Sequence, residues 1–206
     1  TVSDGMVVGL GTGSTAAYAI RELGRQVDSG LDIRGIPTSH GARMLATEVG
    51  IPLTTLAEAT PDVAIDGADQ VAGLDLIKGG GAAHTREKLV DSAADRFLAI
   101  ADETKLTEPL DAAVPIEVLS DAVAVVEREL NDLGGTPELR CAERKDGPVV
   151  TDNGNLVVDC DFDAISDPGA LSTDIATLPG VVEHGLFVGL ADEVHVGSES
   201  GVEVRR

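Results

Sequence analysis

The sequence predicts an α/β fold in which a parallel sheet domain carries a small inserted α+β unit. The first half of the chain alternates short apolar strands with helical stretches, which is the pattern of a parallel sheet. Near Pro109–Pro115 the order changes to strand–helix–strand–strand–helix–strand, which is typical of a small α+β unit. We therefore place the sheet domain at residues 1–112 plus 186–206, and the inserted domain at residues 113–185.

The individual elements follow from apolar runs separated by glycine-rich or polar turns. In the first half we predict strand Met6–Leu10, helix Ala16–Leu23, strand Ile33–Ile36, helix Gly41–Val49, strand Val63–Ile65, helix Ala83–Ala94 and strand Phe97–Ala101. In the insertion we predict strand Pro115–Leu119, helix Ala122–Leu133, a hairpin of Val149–Thr151 with Leu156–Asp159 turned at Asp152–Asn155, and a helix from Asp163 to Thr177. We then predict Phe187–Leu190 and Glu193–Val196 as strands that return to the first domain.

Composition and charge exclude several classes of protein. The formal net charge of -21 opposes binding to nucleic acid phosphates, and the scattered acids resemble the surfaces of proteins from a salt-loaded cytoplasm. No apolar run approaches the roughly 20 residues that span a bilayer, and no signal segment is recognisable. We therefore expect a cytoplasmic protein without nucleic acid or membrane partners. Cys141 and Cys160 have the spacing of neither a metal site nor a disulfide framework.

Three polar motifs directly follow predicted strand ends. Gly11–Thr15 follows the first strand, Asp66–Asp69 the third and Asp102–Lys105 the fourth. Ligands of open parallel sheets bind outside the carboxyl ends of the strands. We therefore expect these motifs to meet at one sheet edge.

Gly11–Thr15 supplies small residues, backbone N–H groups and hydroxyls at a helix N-terminus, which favours phosphate binding. The motif lacks the lysine of a P-loop, and Ser14 replaces the third glycine of the dinucleotide fingerprint. The structural alternative is a plain strand–helix turn in which Ser14 or Thr15 is the N-cap.

Asp66 and Asp69 lie three residues apart in a turn after a buried strand. Two carboxylates there can hydrogen-bond sugar hydroxyls or pass protons between oxygens. A hard cation would require more oxygen ligands than this motif offers, and an Asx-turn with an N-cap is the structural alternative.

Lys78 precedes three glycines, Gly79–Gly81. Such a loop permits close backbone approach to a ligand, and its lysine can stabilise a developing oxyanion. The alternative is a flexible surface loop.

Glu87 is the most informative carboxylate. On a helix it flanks an apolar stripe that includes Val90, and Asp91 is a like charge at i+4. Desolvation and the like charge favour the protonated form, which should raise its pKa toward neutrality and suit it to act as a base. The alternative is an ordinary surface glutamate.

The histidines lack metal-ligand spacing, so we expect structural or exposed positions and no metal site; they are His40, His84, His184 and His195.

Four ordered segments, Val8–Thr15, Asp62–Asp69, Lys78–Lys88 and Ile100–Lys105, resemble the ribose-5-phosphate isomerase A family. The later segment from Leu178 to Phe187 matches the family as well, so the resemblance covers almost the whole chain. It implies a Rossmann-like domain with an inserted ferredoxin-like domain, assembled as a homodimer or homotetramer. It also implies interconversion of ribose 5-phosphate and ribulose 5-phosphate through an enediolate, without a metal or organic cofactor.

The resemblance also implies roles for particular residues. Glu87 would move the proton between C2 and C1, and Lys78 would stabilise the enediolate. Asp66 and Asp69 would hold the sugar and assist ring opening. The implied substrate-binding residues are Thr12, Gly13, Ser14, Thr15, Asp66, Gly67, Ala68, Asp69, Lys78, Gly79, Gly80, Gly81 and Lys105.

Two departures from the family pattern accompany the resemblance. The family usually has a helix before the first strand, and the sequence starts too late to contain it; Gln70 stands where an acidic residue often follows Asp69. Other sugar-phosphate enzymes, such as a deaminase or lactonase, would require a catalytic histidine or a different carboxylate pattern. A non-catalytic sugar-phosphate sensor would require a basic face or DNA-binding helices, which the acidic composition opposes.

Overall fold

A computed structural model describes residues 2–206 of the chain. In these residues the helices are α1 Ser14–Asp28, α2 His40–Glu48, α3 His84–Ala93, α4 Val123–Asp132 and α5 Pro168–Ala176. The strands are β1 Val7–Leu10, β2 Arg34–Pro37, β3 Val63–Gly67, β4 Gln70–Ala72, β5 Asp75–Ile77, β6 Phe97–Asp102, β7 Val114–Val118, β8 Thr136–Leu139, β9 Leu156–Asp161, β10 Val181–His184, β11 Leu186–Phe187, β12 Glu193–Ser198 and β13 Gly201–Arg205.

The described chain divides into two compact units. Unit 1 contains the residues up to Ala68, Arg86–Thr104 and Gly189–Arg206, and unit 2 contains Asp69–Thr85 and Lys105–Val188. The insertion predicted at residues 113–185 lies inside unit 2. The domain boundaries remain a prediction, because compactness alone does not define a unit that folds independently.

Unit 1 is built on a six-stranded sheet in the order β13-β12-β6-β3-β1-β2. All neighbours are parallel except β12 and β13, which form an antiparallel pair at one edge. After β2 the chain returns across β1 to form β3, so the strand order reverses between β1 and β3. Open α/β sheets bind ligands in the crevice at such a reversal, outside the carboxyl ends of the strands.

The core of unit 1 explains why these segments became strands and helices. All four residues of β1 and three of the five residues of β3 are buried, as is typical of strands covered on both faces. Ile20 and Leu23 of α1 and Ala46 of α2 pack into the same cluster. The predicted parallel sheet is confirmed, and α1 runs five residues beyond its predicted end at Leu23.

Unit 2 contains a four-stranded antiparallel sheet in the order β10-β7-β9-β8. Along the chain its elements follow the order β7-α4-β8-β9-α5-β10, which is the ferredoxin-like arrangement that the family resemblance implied. Val126 and Leu130 of α4 and Ile175 of α5 are fully buried in its core. A second, three-stranded sheet has the order β11-β5-β4.

Two predictions for unit 2 are wrong in detail, and one strand was not predicted. Residues 149–151, predicted as one strand of a hairpin, form only an isolated bridge. β9 pairs with β7 and with β8, and β8 was not predicted from the sequence. β8 contains Pro137 and has only two half-buried positions, a pattern of an edge strand that single-sequence periodicity does not detect. The helix predicted from Asp163 begins at Pro168, because Asp167 caps it and proline fits its first turn.

The strand predicted at Phe187–Leu190 does not return to the first domain. Leu186 and Phe187 pair antiparallel with β5 inside unit 2, and the chain enters unit 1 only at Gly189.

Across residues 2–206, helices are too short or too polar to cross a membrane.

Candidate functional site

In unit 1, the turn after β1 is joined to the end of β3. The Gly11 N–H donates to the carbonyl of Ile65 at 3.0 Å, and the Thr12 N–H donates to Asp66 Oδ1 at 2.9 Å. The Gly67 N–H donates to the same oxygen at 2.7 Å, and the Asp66 side chain is fully buried. The first two predicted motifs therefore meet at the reversal of strand order, as expected.

Gly11 is required by this junction. A Cβ atom at Gly11 would lie 2.1 Å from Asp66 Oδ1, well inside van der Waals contact. Gly13 is the N-cap of α1 with φ 109°, and it has no side chain with which to cap the helix. The simple N-cap interpretation of Ser14 or Thr15 is therefore wrong, since Ser14 is already the first residue of α1.

A cluster of hydroxyls continues this edge of the sheet and was missed by the sequence analysis. Thr12 Oγ1 lies 2.7 Å from Thr38 Oγ1 and donates to Ser39 Oγ at 2.8 Å. Thr38 and Ser39 follow β2, and Ser39 is the N-cap of α2. The missed signal was a Thr-Ser pair directly after the second strand, at the same edge as the turn after β1.

Glu87 is the third feature of unit 1. It lies in the first turn of α3 and is only 4% exposed, and Asp91, one turn later, is 2% exposed. Val90 on the same helix packs with Val7 and Ile36, which confirms the predicted apolar stripe. The interpretation of Glu87 as a surface glutamate is therefore wrong.

In unit 2, the loop after β5 is ordered around Lys78. Its side chain is 2% exposed, its N–H donates to the Gly185 carbonyl at 2.9 Å, and its Nζ lies 5.3 Å from the centre of the Phe187 ring. The ammonium therefore has a cation–π contact on a buried aromatic ring. Lys78 and Gly79 are buried, so the flexible surface loop is excluded for this part of the motif.

Gly79 and Gly80 need to be glycines because other groups approach them closely. Gly79 has φ 107°, and a Cβ atom there would lie 2.7 Å from His84 Nδ1. A Cβ atom on Gly80 would lie 2.9 Å from Asp69 Oδ1. The Gly80 N–H donates to Asp69 Oδ2 at 2.7 Å, so the second aspartate of the predicted pair lies against the glycine loop. His84 is fully buried, in agreement with a structural position.

Three further candidate residues occupy defined places. Lys105 is the last residue of the 3₁₀ helix Glu103–Lys105 and is half-buried. It belongs to unit 2, whereas Thr12–Thr15 belong to unit 1. Ala68 and Asp69 fall on either side of the division between the units. Among residues 2–206, histidine, cysteine and acidic side chains form no group that could hold a metal ion.

Gln70 has a structural explanation. Its Oε1 accepts the N–H groups of Asp111 at 2.9 Å and Ala112 at 3.0 Å, and its Nε2 donates to the Asp111 carboxylate. An acidic residue at position 70 would repel Asp111 and lack that donor. The side-chain amide of Gln70 therefore fits beside Asp111 better than a carboxylate would.

The chain matches the family model for ribose 5-phosphate isomerase A (phosphoriboisomerase A) over residues 34–201. The chain belongs to the ribose 5-phosphate isomerase A family. It is 72% identical to ribose-5-phosphate isomerase A of Natronomonas pharaonis over 204 residues, which covers 99% of this chain and 91% of that protein. It is 64% identical to the Haloarcula marismortui protein of the same name, covering 99% of this chain and 90% of that protein.

Solved structures of the family agree with the fold. Ribose 5-phosphate isomerase A from Methanocaldococcus jannaschii has a TM-score of 0.96 at 48% identity, and the match covers 100% of this chain and 93% of that one. A D-ribose-5-phosphate isomerase in complex with phospho-erythronic acid has a TM-score of 0.97 at 45% identity, with the same coverage. The isomerase class and the α/β architecture expected from the sequence are thus confirmed. The first named relatives come from salt-loving archaea, in keeping with the acidic composition.

Proposed function

We propose that this isomerase interconverts D-ribose 5-phosphate and D-ribulose 5-phosphate, with Glu87 as the group that moves the proton. The observation that supports this most is the burial of Glu87 at 4% exposure and of Lys78 at 2%. Glutamate and lysine are rarely buried, because removing a charge from water is costly. Buried ionisable groups are typical of a catalytic site.

The reaction requires a base, a group that stabilises an oxyanion and a means of opening the sugar ring. Glu87 removes the proton from C2 of the open-chain aldose, and the electron pair forms the C1–C2 double bond of an enediolate. The Lys78 ammonium and the N–H groups of Gly79 and Gly81 stabilise the negative oxygen, since the Gly80 N–H already donates to Asp69 Oδ2. The proton on O2 passes to O1, so that the negative charge moves to O2. Protonated Glu87 then returns its proton to C1 while the O2 electron pair forms the ketone, and no external oxidant or reductant is needed.

The remaining candidate residues bind and prepare the substrate. We assign the N–H groups and hydroxyls of Thr12–Thr15, together with Lys105, to the phosphate, since anions are favoured at helix N-termini and beside lysine. Asp66 and Asp69 hold the sugar hydroxyls and assist ring opening. The solved D-ribose-5-phosphate isomerase in complex with phospho-erythronic acid supports a phosphate site in the family, because that ligand carries a phosphate.

The activity is tested by incubating the protein with ribose 5-phosphate in deuterium oxide and following the sugar by proton NMR. We expect ribulose 5-phosphate to form and deuterium to enter at C1 or C2. A protein that binds ribose 5-phosphate without isomerisation or exchange would refute the proposed function.

Glu87→Gln tests the assignment of the base. The amide cannot accept the C2 proton, so we expect loss of turnover by at least about 10³-fold with substrate binding retained. Glu48→Gln, on the exposed end of α2, is the matched control and should be unchanged. Near-normal turnover in Glu87→Gln would reassign the base.

We also propose a cytoplasmic homodimer or homotetramer, as the family resemblance implies. Size-exclusion chromatography with light scattering at several salt concentrations gives the mass directly. A monomer at all protein concentrations would contradict this proposal.

A further inference from the structure

Arg140 follows the edge strand β8 in unit 2 and contacts the glycine loop of the candidate site. Its Nη1 donates to the carbonyls of Gly79 at 3.0 Å and Gly80 at 3.1 Å. Its Nε donates to Asp159 Oδ2 at 2.7 Å, and its Nη2 binds the other oxygen of the same carboxylate. The side chain is 17% exposed, so these contacts are largely removed from water.

The arrangement uses the shape of the guanidinium group. Asp159 on β9 binds one edge of the planar group with both oxygens, which fixes the orientation of the whole plane. The remaining nitrogen is thereby directed at two successive backbone carbonyls. A lysine has a single rotatable ammonium and cannot make both sets of contacts in a fixed geometry.

Holding these carbonyls also fixes the N–H groups of the loop. In a trans peptide the C=O of one residue and the N–H of the next share a plane and point in opposite directions. Arg140 therefore sets the directions of the Gly80 and Gly81 N–H groups. The Gly80 N–H does point away from Arg140, to Asp69 Oδ2 at 2.7 Å.

A run of three glycines has the greatest backbone freedom of any sequence, so a loop of this kind needs external contacts to keep one conformation. Arg140 and Asp69 hold opposite sides of the Gly79–Gly80 peptide and supply such contacts. Lys78 joins the same loop directly, and its own N–H is bound to the Gly185 carbonyl at 2.9 Å.

We propose that Arg140, oriented by Asp159, is a positioning residue that preorganises the Lys78–Gly81 loop for stabilisation of the enediolate. This inference rests on the function proposed above. It predicts that Arg140 affects the chemical step more than substrate binding, because the loop N–H groups are assigned to the charge that develops in the transition state.

The test compares Arg140→Ala with the wild type by steady-state kinetics on ribose 5-phosphate. We expect kcat to fall by about 100-fold, as for a displacement of about 1 Å in a catalytic group, while KM changes by less than about threefold. Arg128→Ala is the matched control, since it removes an exposed arginine of the same unit that is paired with Glu129, and it should keep wild-type kinetics.

Chemical rescue separates positioning from a general loss of structure. Guanidinium chloride at about 50 mM should restore at least about tenfold of the lost kcat in Arg140→Ala, because it refills the site with the same hydrogen-bond donors. Urea at the same concentration, with potassium chloride added to match ionic strength, should not. A kcat near that of the wild type, no rescue, or equal rescue by urea would each overturn the proposal.

Two further variants keep the test decisive. If Arg140→Ala does not fold, Asp159→Asn retains the arginine but loosens its orientation, and it should lower kcat without a comparable change in KM. The kcat of Arg140→Lys should lie between those of the wild type and Arg140→Ala. Inactivity of the wild type would refute the proposed function, whereas an active wild type with unaffected variants would refute only the role of Arg140.

Discussion

At the scale of single residues, Glu117 of β7 is a buried carboxylate that the catalytic scheme does not use. It is fully buried and accepts hydrogen bonds from the Thr151 hydroxyl at 2.9 Å and from the Asn155 amide at 2.7 Å. Asn153 and Thr85 donate to it as well. Burial alone would raise the pKa of Glu117, but the four hydrogen-bonding side chains together outweigh it and lower the pKa.

The lowered pKa of Glu117 makes part of the stability dependent on pH. A carboxyl whose folded pKa lies below its unfolded value stabilises the protein above the unfolded pKa, and this stabilisation is lost as the pH falls through the folded pKa. Glu117→Gln should therefore lower the free energy of unfolding at pH 7 by about 1–3 kcal/mol, and the difference from the wild type should shrink below about pH 4. Urea unfolding at several pH values measures this difference.

The control for Glu117 is Glu138→Gln, which changes an exposed glutamate on β8 of the same sheet. It should leave the free energy of unfolding within about 0.5 kcal/mol of the wild type. If Glu117→Gln lowered the free energy of unfolding by the same amount at every pH down to 3, the ionised carboxylate would not be what stabilises this site.

The two cysteines should differ sharply in reactivity. Cys141 is exposed, whereas Cys160 is fully buried, and desolvation raises the pKa of its thiol to about 12. At pH 8 a disulfide reagent should label one thiol quickly, and the second should react only as the protein unfolds. Cys141→Ser should remove the fast phase. Two fast thiols in the native wild type would contradict the burial of Cys160.

At the scale of elements, the N-cap of α2 combines a helix cap with a contact to a residue of the proposed phosphate site. Ser39 Oγ accepts the Ala42 N–H at 3.0 Å and also the hydroxyl of Thr12 at 2.8 Å. Ser39→Ala should therefore destabilise the protein by about 1 kcal/mol and also raise KM for ribose 5-phosphate, because Thr12 belongs to the proposed phosphate site. Thermal unfolding and steady-state kinetics measure the two effects separately.

Asp167→Ala provides the comparison for Ser39. Asp167 caps α5 by accepting the Ala170 N–H at 2.9 Å, and it lies outside the candidate site residues. It should lower stability by a similar amount, about 1 kcal/mol, without a change in KM. If Ser39→Ala and Asp167→Ala changed KM equally, Ser39 would have no specific role in phosphate binding.

The elements that the sequence predicted best are those with strong apolar periodicity or a fully buried apolar run. β1 and β3 were identified because each begins with a short run of apolar residues, and this also placed the motifs that follow them. β8 and the hairpin of β4 and β5 were missed, since strands of three or four residues with polar positions produce little periodic signal.

The same limit applies to the site. Glu87, Asp66 and Lys78 could be singled out by motif and neighbour, but the contacts of Arg140 with the glycine loop could not. It lies about 60 positions from the glycines that it contacts, and no local pattern records a side chain that bonds to distant backbone carbonyls. Only the pairing of β8 with β9 brings Arg140 beside Asp159.

At the scale of the whole molecule, the dominant feature is the formal net charge of -21 on 206 residues. Like charges repel one another more strongly in the compact folded state than in the extended unfolded chain, so this charge opposes folding at low ionic strength. Dissolved salt screens the repulsion, with a Debye length of about 10 Å at 0.1 M and about 3 Å at 1 M. The acidic composition thus links the stability of this protein to the salt around it.

We expect the melting temperature to rise steeply with potassium chloride up to about 1 M and then to level off, because screening is almost complete at that concentration. Replacing the exposed residues Asp95, Glu138 and Glu143 by lysine changes the charge by two each, from -21 to -15. The triple variant should melt higher than the wild type in 0.1 M salt and show a shallower salt dependence, and the two proteins should converge above 1 M. Replacement of the same three residues by glutamine should give an intermediate slope. Identical salt dependence in all three proteins would mean that salt acts through the burial of apolar surface instead of through charge repulsion.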